Sequence, residues 1–181
     1  ILGLGVLLAS FTGCKQITPV ESSNEVNYGR YVQNWGLWDA LDYYNTGTFN
    51  KANWTNGGMF NCGWKPDHVT FNNGKMTIKL DNTYSHGKSY TSGEFRSNNK
   101  FHYGTFETNM IAAKGDGLVT SFFTYTGPSD DNPWDEIDIE VLGKDTTKVQ
   151  LNYYKDGKGG HEFMYDLGVD SSQAFHRYGF D

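Results

Sequence analysis

Residues 134–143 read Trp-Asp-Glu-Ile-Asp-Ile-Glu-Val-Leu-Gly, a stretch in which acidic and apolar side chains alternate. Because successive side chains of a β-strand point to opposite faces, Glu136, Asp138 and Glu140 share one face, and the isoleucines and valine between them share the other. The apolar face is expected to enter a core. Three carboxylates in a row repel one another and have no local cation, so we interpret the acidic face as a site. An exposed edge strand with spare acids is the alternative.

Short alternating runs separated by turn signals recur on both sides of this strand. Val69 and Phe71 precede Asn73-Gly74, and apolar residues then resume at every second position, which predicts a hairpin. Further extended runs are predicted at residues 101–111, 121–126 and 149–154. Since no 11-residue window has a helical stripe, the chain is predicted to be all-β, an antiparallel β-sandwich.

Composition narrows the class of function. The 181 residues suit one domain, and 15 basic against 21 acidic residues give a net charge of −6, which excludes a basic nucleic-acid surface. Aromatic residues make up 16% of the chain. Most of them are expected in the core, and a minority are expected to form platforms for sugar rings.

The first residues resemble a targeting segment. Residues 1–13 are apolar and uncharged, too short to span a bilayer but of the length found in secretory signals. Together with Cys14 they form a partial signal segment, residues 1–14, whose end is similar to a bacterial lipobox, in which the cysteine is lipidated; an ordinary signal peptide is the alternative. Residues 15–36 are predicted to be a polar linker. The protein is therefore expected to be secreted, or to belong to the cell envelope of a bacterium with membrane attachment through a lipidated Cys14.

The spacing of the acids indicates a reaction type. A strand rises about 3.3 Å per residue, so the Cα atoms of Glu136 and Glu140 are expected roughly 13 Å apart. If each side chain leans about 4 Å toward the other, the carboxyls come within about 5–6 Å, close to the spacing of retaining glycosidases. Asp138 between them can hydrogen-bond one glutamate and separate the two pKa values.

From about residue 37 to residue 181 the chain resembles the bacterial lichenases, endo-β-1,3-1,4-glucanases of glycoside hydrolase family 16. The resemblance rests on the acidic strand and on NGGMFNC at 56–62, EFRS at 94–97, SFFTYTGP at 121–128 and GKDTTKVQ at 143–150. It implies a concanavalin-like jelly-roll sandwich with a glucan cleft, and retaining cleavage of β-1,4 bonds in mixed-linkage β-glucans. It also implies Glu136 as nucleophile, Asp138 as its helper and Glu140 as general acid/base.

The resemblance further implies a set of substrate-binding positions. Polar residues would hold glucosyl hydroxyls and aromatic residues would form the cleft wall, and for each of them simple packing or a surface role is the alternative. Glu94 and Arg96 could instead pair only with each other. The implied positions are Trp54, Asn56, Glu94, Arg96, Phe123, Tyr125, Trp134, Asn152 and Tyr154.

This sequence departs from the lichenase pattern in two ways. Ser92 occupies the position of the cysteine that would pair with Cys62, so Cys62 is expected to be a free, buried thiol. The family's remaining strands would follow Asp181, so we interpret residues 37–181 as a catalytic domain without its C-terminal strands. We expect the 181-residue chain by itself to be poorly folded and inactive. The resemblance implies no catalytic cofactor but a structural calcium, with backbone ligands at Ala40 and Gly74 and a side-chain ligand beyond residue 181. A monomer is expected.

Three alternatives remain open. Xyloglucan endotransglycosylases share the acidic strand but usually carry an N-glycosylation sequon after it, where this chain has Lys144-Asp145-Thr146. Laminarinases usually have one more residue between the last two acids. A non-catalytic carbohydrate-binding sandwich would need the aromatic residues but not three aligned acids.

Overall fold

A computed structural model describes residues 2–7, 10–11, 37 and 39–181, and nearly all regular structure in these ranges is β-strand, which confirms the predicted all-β class. The predicted lipidation site Cys14 and the predicted linker, residues 15–36, lie outside the described residues. None of the helices in the described ranges is long and apolar enough to cross a membrane. The strands are β1 Leu2–Leu7, β2 Ser10–Phe11, β3 Phe49–Lys51, β4 Cys62–Trp64, β5 Val69–Asn72, β6 Lys75–Ile78, β7 Tyr90–Ser92, β8 Glu94–Phe101, β9 Phe106–Ile111, β10 Val119–Thr126, β11 Asp135–Leu142, β12 Lys148–Tyr154, β13 Phe163–Asp166 and β14 His176–Phe180.

Two antiparallel sheets form the framework. One has seven strands in the order β13-β12-β11-β10-β1-β8-β3, and the other has five in the order β14-β9-β2-β6-β5. A short parallel pair, β4 and β7, is separate from both. Strand β1 comes from the predicted signal segment, and its backbone pairs with β10 on one side and β8 on the other. The secretory signal itself stays a prediction.

The hairpin predicted around Asn73-Gly74 is confirmed. β5 and β6 pair in register from Val69 opposite Ile78 to Asn72 opposite Lys75. Both turn residues have positive φ, 51° at Asn73 and 71° at Gly74, as a two-residue turn of type I′ requires.

The prediction of a single extended run over residues 101–111 is wrong. β8 ends at Phe101 and β9 begins at Phe106, with an irregular connection that contains the fully exposed Tyr103 and Gly104 at φ 152°. The break has a topological reason, because β8 belongs to the seven-stranded sheet and β9 to the five-stranded sheet. The chain crosses between the sheets at this point, and an alternating pattern carries no signal of such a crossing.

The main core is formed by apolar residues from both sheets, and β11 contributes Ile139 and Val141 to it. This confirms the face predicted for the apolar residues of the acidic strand. A second, smaller buried cluster contains Cys62, Trp64, Phe123 and Ala52. Cys62 is a free, buried thiol, as expected from the serine at position 92.

Candidate active site

The acidic face of β11 is flanked on both sides by paired strands. β10 places Ser121, Phe123 and Tyr125 opposite Glu140, Asp138 and Glu136. β12 places Gln150, Asn152 and Tyr154 opposite the same three acids, in the same order. Side chains opposite one another in a sheet share a face. The sheet register therefore surrounds each acid with one polar or aromatic neighbour on either side.

This face forms the floor of a cleft of about 870 Å³, a size within the range of ligand-binding sites. All twelve side chains proposed from the sequence for catalysis or substrate binding line it, although what each one does there stays a prediction. These side chains are Trp54, Asn56, Glu94, Arg96, Phe123, Tyr125, Trp134, Glu136, Asp138, Glu140, Asn152 and Tyr154.

Glu136 is held by two hydrogen-bond partners. The indole Nε1 of Trp134 donates to its Oε2 over 2.6 Å, and Asp138 shares a second side-chain hydrogen bond with it. Burial raises the pKa of Glu136, while these hydrogen bonds and the nearby charge of Arg96 oppose the rise. Trp134 is at the same time stacked on Tyr154, with ring centroids 4.5 Å apart and planes 12° apart. The indole ring is thus fixed on one face and directs its only donor at the carboxylate.

Asp138 is the most strongly perturbed of the three acids. Burial, followed by the negative charges of Glu136 and Glu140, raises the pKa of Asp138 to about 8. At neutral pH this group therefore carries a proton that it can donate to Glu136. Such a neutral acid between two glutamates reduces the repulsion that three ionised carboxylates would create.

Glu140 lies in a different environment. Burial raises its pKa, and the charges of Glu136 and Glu162 add to the rise. Its Oε2 accepts a 3.2 Å hydrogen bond from Nε2 of Gln150. A raised pKa favours the protonated form of the Glu140 carboxyl, the form that can donate a proton in a reaction.

Gln150 and Glu162 both line the cleft, and the sequence analysis missed them. Gln150 was accessible to the same reasoning that selected Asn152 and Tyr154, because it is two positions before Asn152 on one strand face. Glu162 precedes β13 outside any strand, and no periodic pattern could have placed it.

Glu94 and Arg96 occupy the other side of the cleft. They form an ion pair through Arg96 Nε and Glu94 Oε1, and both also line the cleft, so pairing does not exclude them from it. The guanidinium of Arg96 lies over the ring of Trp54, 4.7 Å from its centroid. Burial raises the pKa of Glu94, and the adjacent Arg96 opposes this rise.

The residues proposed for calcium do not by themselves make a site. Ala40 precedes a turn and Gly74 lies in the β5–β6 turn, and each would offer only a backbone oxygen. Calcium takes six to eight oxygen ligands. The carboxylate of Asp39, next to Ala40 in sequence, is engaged with Leu41 N and Asn45 Nδ2, and the described ranges contain no cluster of three or more acidic, histidine or cysteine side chains suited to a metal.

The sequence pattern described as "Glycosyl hydrolases family 16" matches residues 56–181, a segment that includes the whole acidic strand and both of its neighbours. This chain belongs to glycoside hydrolase family 16. Its relatives in the family include a beta-glucanase of Acetivibrio thermocellus, 59% identical over 138 residues, in a match that covers 76% of this chain and 41% of that protein. A beta-glucanase of Paenibacillus polymyxa is 53% identical over 147 residues, covering 80% of this chain and 61% of that protein.

Solved structures of family 16 have the same fold. A prokaryotic beta-1,3-1,4-glucanase (lichenase) derived from a mouse hindgut metagenome superimposes with a TM-score of 0.77 at 46% identity, covering 79% of this chain and 68% of that one. The beta-glucanase of Bacillus licheniformis gives a TM-score of 0.75 at 48% identity, covering 82% and 70%. The predicted jelly-roll sandwich is thereby confirmed. The chain spans about two fifths of the length of the Acetivibrio relative.

Proposed function

We propose that this chain carries the catalytic centre of a retaining endo-glycosidase that hydrolyses β-1,4 bonds in mixed-linkage β-1,3-1,4-glucans. Glu136 is the nucleophile, Glu140 the general acid/base, and Asp138 the helper of Glu136. The observation that carries the proposal is the row of three partly or fully buried acids on one face of β11, along the floor of an open cleft.

The two glutamates have environments suited to opposite tasks. Glu136 receives hydrogen bonds from Trp134 and Asp138, which favour its ionised form. Glu140 lies in the field of the negative charges of Glu136 and Glu162, which favours its protonated form. Hydrogen bonds that favour the ionised form of one carboxyl, and negative charge that favours the protonated form of the other, suit the two groups to the roles of nucleophile and acid.

The reaction then proceeds in two displacements. Glu136 attacks the anomeric carbon, the bond to the leaving oxygen breaks, and Glu140 gives its proton to that oxygen. A covalent glycosyl ester on Glu136 results. Glu140, now ionised, takes a proton from water, which attacks the same carbon and releases Glu136. Two inversions give net retention, and both glutamates return to their starting protonation states.

The choice of substrate is supported by the relatives. The proteins of Acetivibrio and Paenibacillus are named beta-glucanases, and the hindgut structure is titled a beta-1,3-1,4-glucanase. The cleft offers aromatic faces, including Phe123 and Tyr125, beside polar groups such as Asn56. A glucan chain presents the matching alternation of apolar ring faces and hydroxyl edges.

A panel of five polysaccharides, assayed like every variant below with the full-length protein, tests the substrate. Reducing-end release from barley β-glucan and lichenan should be rapid, and release from xyloglucan, laminarin and carboxymethylcellulose should be at least about tenfold slower, a difference of about 1.4 kcal/mol in activation free energy. Comparable rates on xyloglucan or laminarin would move the assignment to a transglycosylase or laminarinase type. No cleavage of any polymer, with binding retained, would indicate a carbohydrate-binding sandwich.

The roles of the two glutamates are tested separately. Glu136→Gln should reduce kcat below about one hundredth of the wild-type value, a loss of about 2.7 kcal/mol or more, because an amide cannot form the glycosyl ester. The first product seen by NMR should be the β-anomer, since the mechanism retains configuration. A variant with more than about a hundredth of the activity, or an initial α-anomer, would exclude Glu136 as a nucleophile.

A further inference from the structure

The pairing of β11 with β12 places Gln150 beside Glu140. The two residues are direct register partners on β11 and β12, and Gln150 Nε2 lies 3.2 Å from Glu140 Oε2. Both are partly buried and both line the cleft. No other hydrogen bond to the Glu140 carboxyl is found among the residues that the structure describes.

The geometry of this contact distinguishes the two oxygens of the carboxyl group. An amide N–H is only a donor, so the oxygen that it meets acts as an acceptor. Oε2 is therefore occupied as an acceptor, and Oε1 is the oxygen left to carry a transferable proton. The hydrogen bond also restrains the orientation of the carboxyl, because it ties one oxygen to a side chain of the adjacent strand.

We propose that Gln150 is a positioning residue for Glu140, which turns Oε1 toward the glycosidic oxygen that receives the proton. This inference rests on the proposed function, since it assigns Gln150 through the role of Glu140. Gln150 acts on the acid and not on the sugar, so its removal slows proton transfer and leaves substrate binding nearly unchanged.

A leaving-group series on aryl β-glycosides of a mixed-linkage oligosaccharide tests this role. 2,4-Dinitrophenolate departs without a proton, whereas 4-methylphenolate needs one. In Gln150→Leu, kcat/KM for the methylphenyl glycoside should fall about 10- to 100-fold, the range for losing a hydrogen bond to a charged group, while the dinitrophenyl value should change less than about threefold. A group that merely bound sugar would change KM for both substrates alike.

The pH profile supplies a second readout. The amide donor favours the ionised form of Glu140, so its loss should move the alkaline limb of kcat/KM to higher pH. The charged or titratable groups that act on Glu140 are Glu136 and Asp138 on its own strand and Glu162 before β13, and all three remain in the variant. Gln150→Glu has nearly the same size and adds a negative charge, so its alkaline limb should move further.

The matched control is Gln173→Leu, the same change at an exposed glutamine outside the cleft. It should alter neither the leaving-group ratio nor the pH profile. If Gln150→Leu does not fold, Gln150→Glu carries the test with the same two readouts. An equal loss on both glycosides with an unmoved alkaline limb overturns the positioning role.

The outcome also separates this inference from the proposed function. Glu140→Gln should show the strongest dependence on the leaving group. If Glu140→Gln shows none, the assignment of the acid/base fails, whatever Gln150 does. If Glu140→Gln shows the dependence and both Gln150 variants do not, only the role of Gln150 is wrong.

Discussion

The indole nitrogen of Trp134 lies 2.6 Å from Oε2 of Glu136 and donates a hydrogen bond to that carboxylate. The ring of Trp134 is held in this orientation by its stacking on Tyr154. An aromatic residue expected from the sequence to form cleft wall therefore also acts on the charge of the proposed nucleophile.

Replacement of Trp134 by Phe keeps an aromatic ring and removes the donor. The ionised form of Glu136 then loses stabilisation, so its pKa should rise further and the acidic limb of kcat/KM should move to higher pH. At the optimum, kcat/KM should fall about 10- to 100-fold, because a hydrogen bond to a charged group contributes about 1.5–3 kcal/mol. Trp54→Phe is the matched control, because the ring of Trp54 faces Arg96. The acidic limb of kcat/KM for this variant should stay in place. An unmoved limb in Trp134→Phe would contradict the electrostatic role.

Asp138→Asn should change how stability depends on pH. The pKa of Asp138 is raised from 3.8 to about 8 in the fold, so between these pH values the folded protein keeps a proton that the unfolded chain has released. Wild-type stability therefore falls as pH rises through this window, and asparagine does not titrate. The melting temperature of Asp138→Asn minus that of the wild type should increase steadily from pH 4 to pH 8.

Asp145→Asn is the control, because the pKa of Asp145 is shifted in the opposite direction to that of Asp138. Hydrogen bonds from Thr147 and Lys148 lower the pKa of Asp145 to about 2. Its contribution to stability is present above its unfolded pKa of 3.8 and is lost as pH falls toward 2, so this variant should show a constant difference from pH 5 to pH 8. A flat difference for Asp138→Asn over the same range would show that Asp138 is ionised at neutral pH.

Val141→Ala should destabilise the protein by about 2 kcal/mol or more. Val141 is fully buried in the main core, and two lost methyl equivalents cost about 0.8 kcal/mol each, with a further cost for the cavity. Val169→Ala removes the same atoms at a position that is 48% exposed, and it should change stability by less than about 0.5 kcal/mol. Chemical unfolding of the two variants gives the comparison, and equal costs would show that β11 does not face the core.

Cys62 should be unreactive in the folded protein. Burial raises the pKa of its thiol to about 11, and the thiolate is the reactive form. A thiol reagent at pH 8 should therefore modify the native wild type and native Cys62→Ala to the same extent. In denaturant the wild type should take up one more equivalent. A faster reaction of the native wild type would place this sulfur at the surface.

The sequence predicted those features that depend on local alternation. The two faces of β11, the Asn73-Gly74 hairpin and the cleft positions on β12 all follow from a period of two, because the side chains of a strand alternate without regard to its partners. The family resemblance supplied what this period could not, namely the cleft residues on distant strands such as Asn56 and Arg96.

Features that depend on which strands are neighbours could not be predicted. The crossing between sheets at residues 102–105, the parallel pairing of β4 with β7, and the approach of Glu162 to Glu140 are long-range relationships. The contact between Trp134 and Glu136 is local in sequence, but it depends on a ring orientation that Tyr154, 20 positions away, imposes.

Along β11 a single backbone separates the cleft from the main core, with Ile139 and Val141 on one side and the acids on the other. A shift of the β11 backbone that repacks the core side also moves the carboxyls, and a retaining mechanism tolerates little change in their spacing. Substitutions on this strand are therefore limited by two requirements, the packing of the core and the catalytic reaction. Substitutions meant to stabilise the protein have more freedom in the five-stranded sheet, because none of the side chains that the structure describes in its strands contributes to the lining of the cleft.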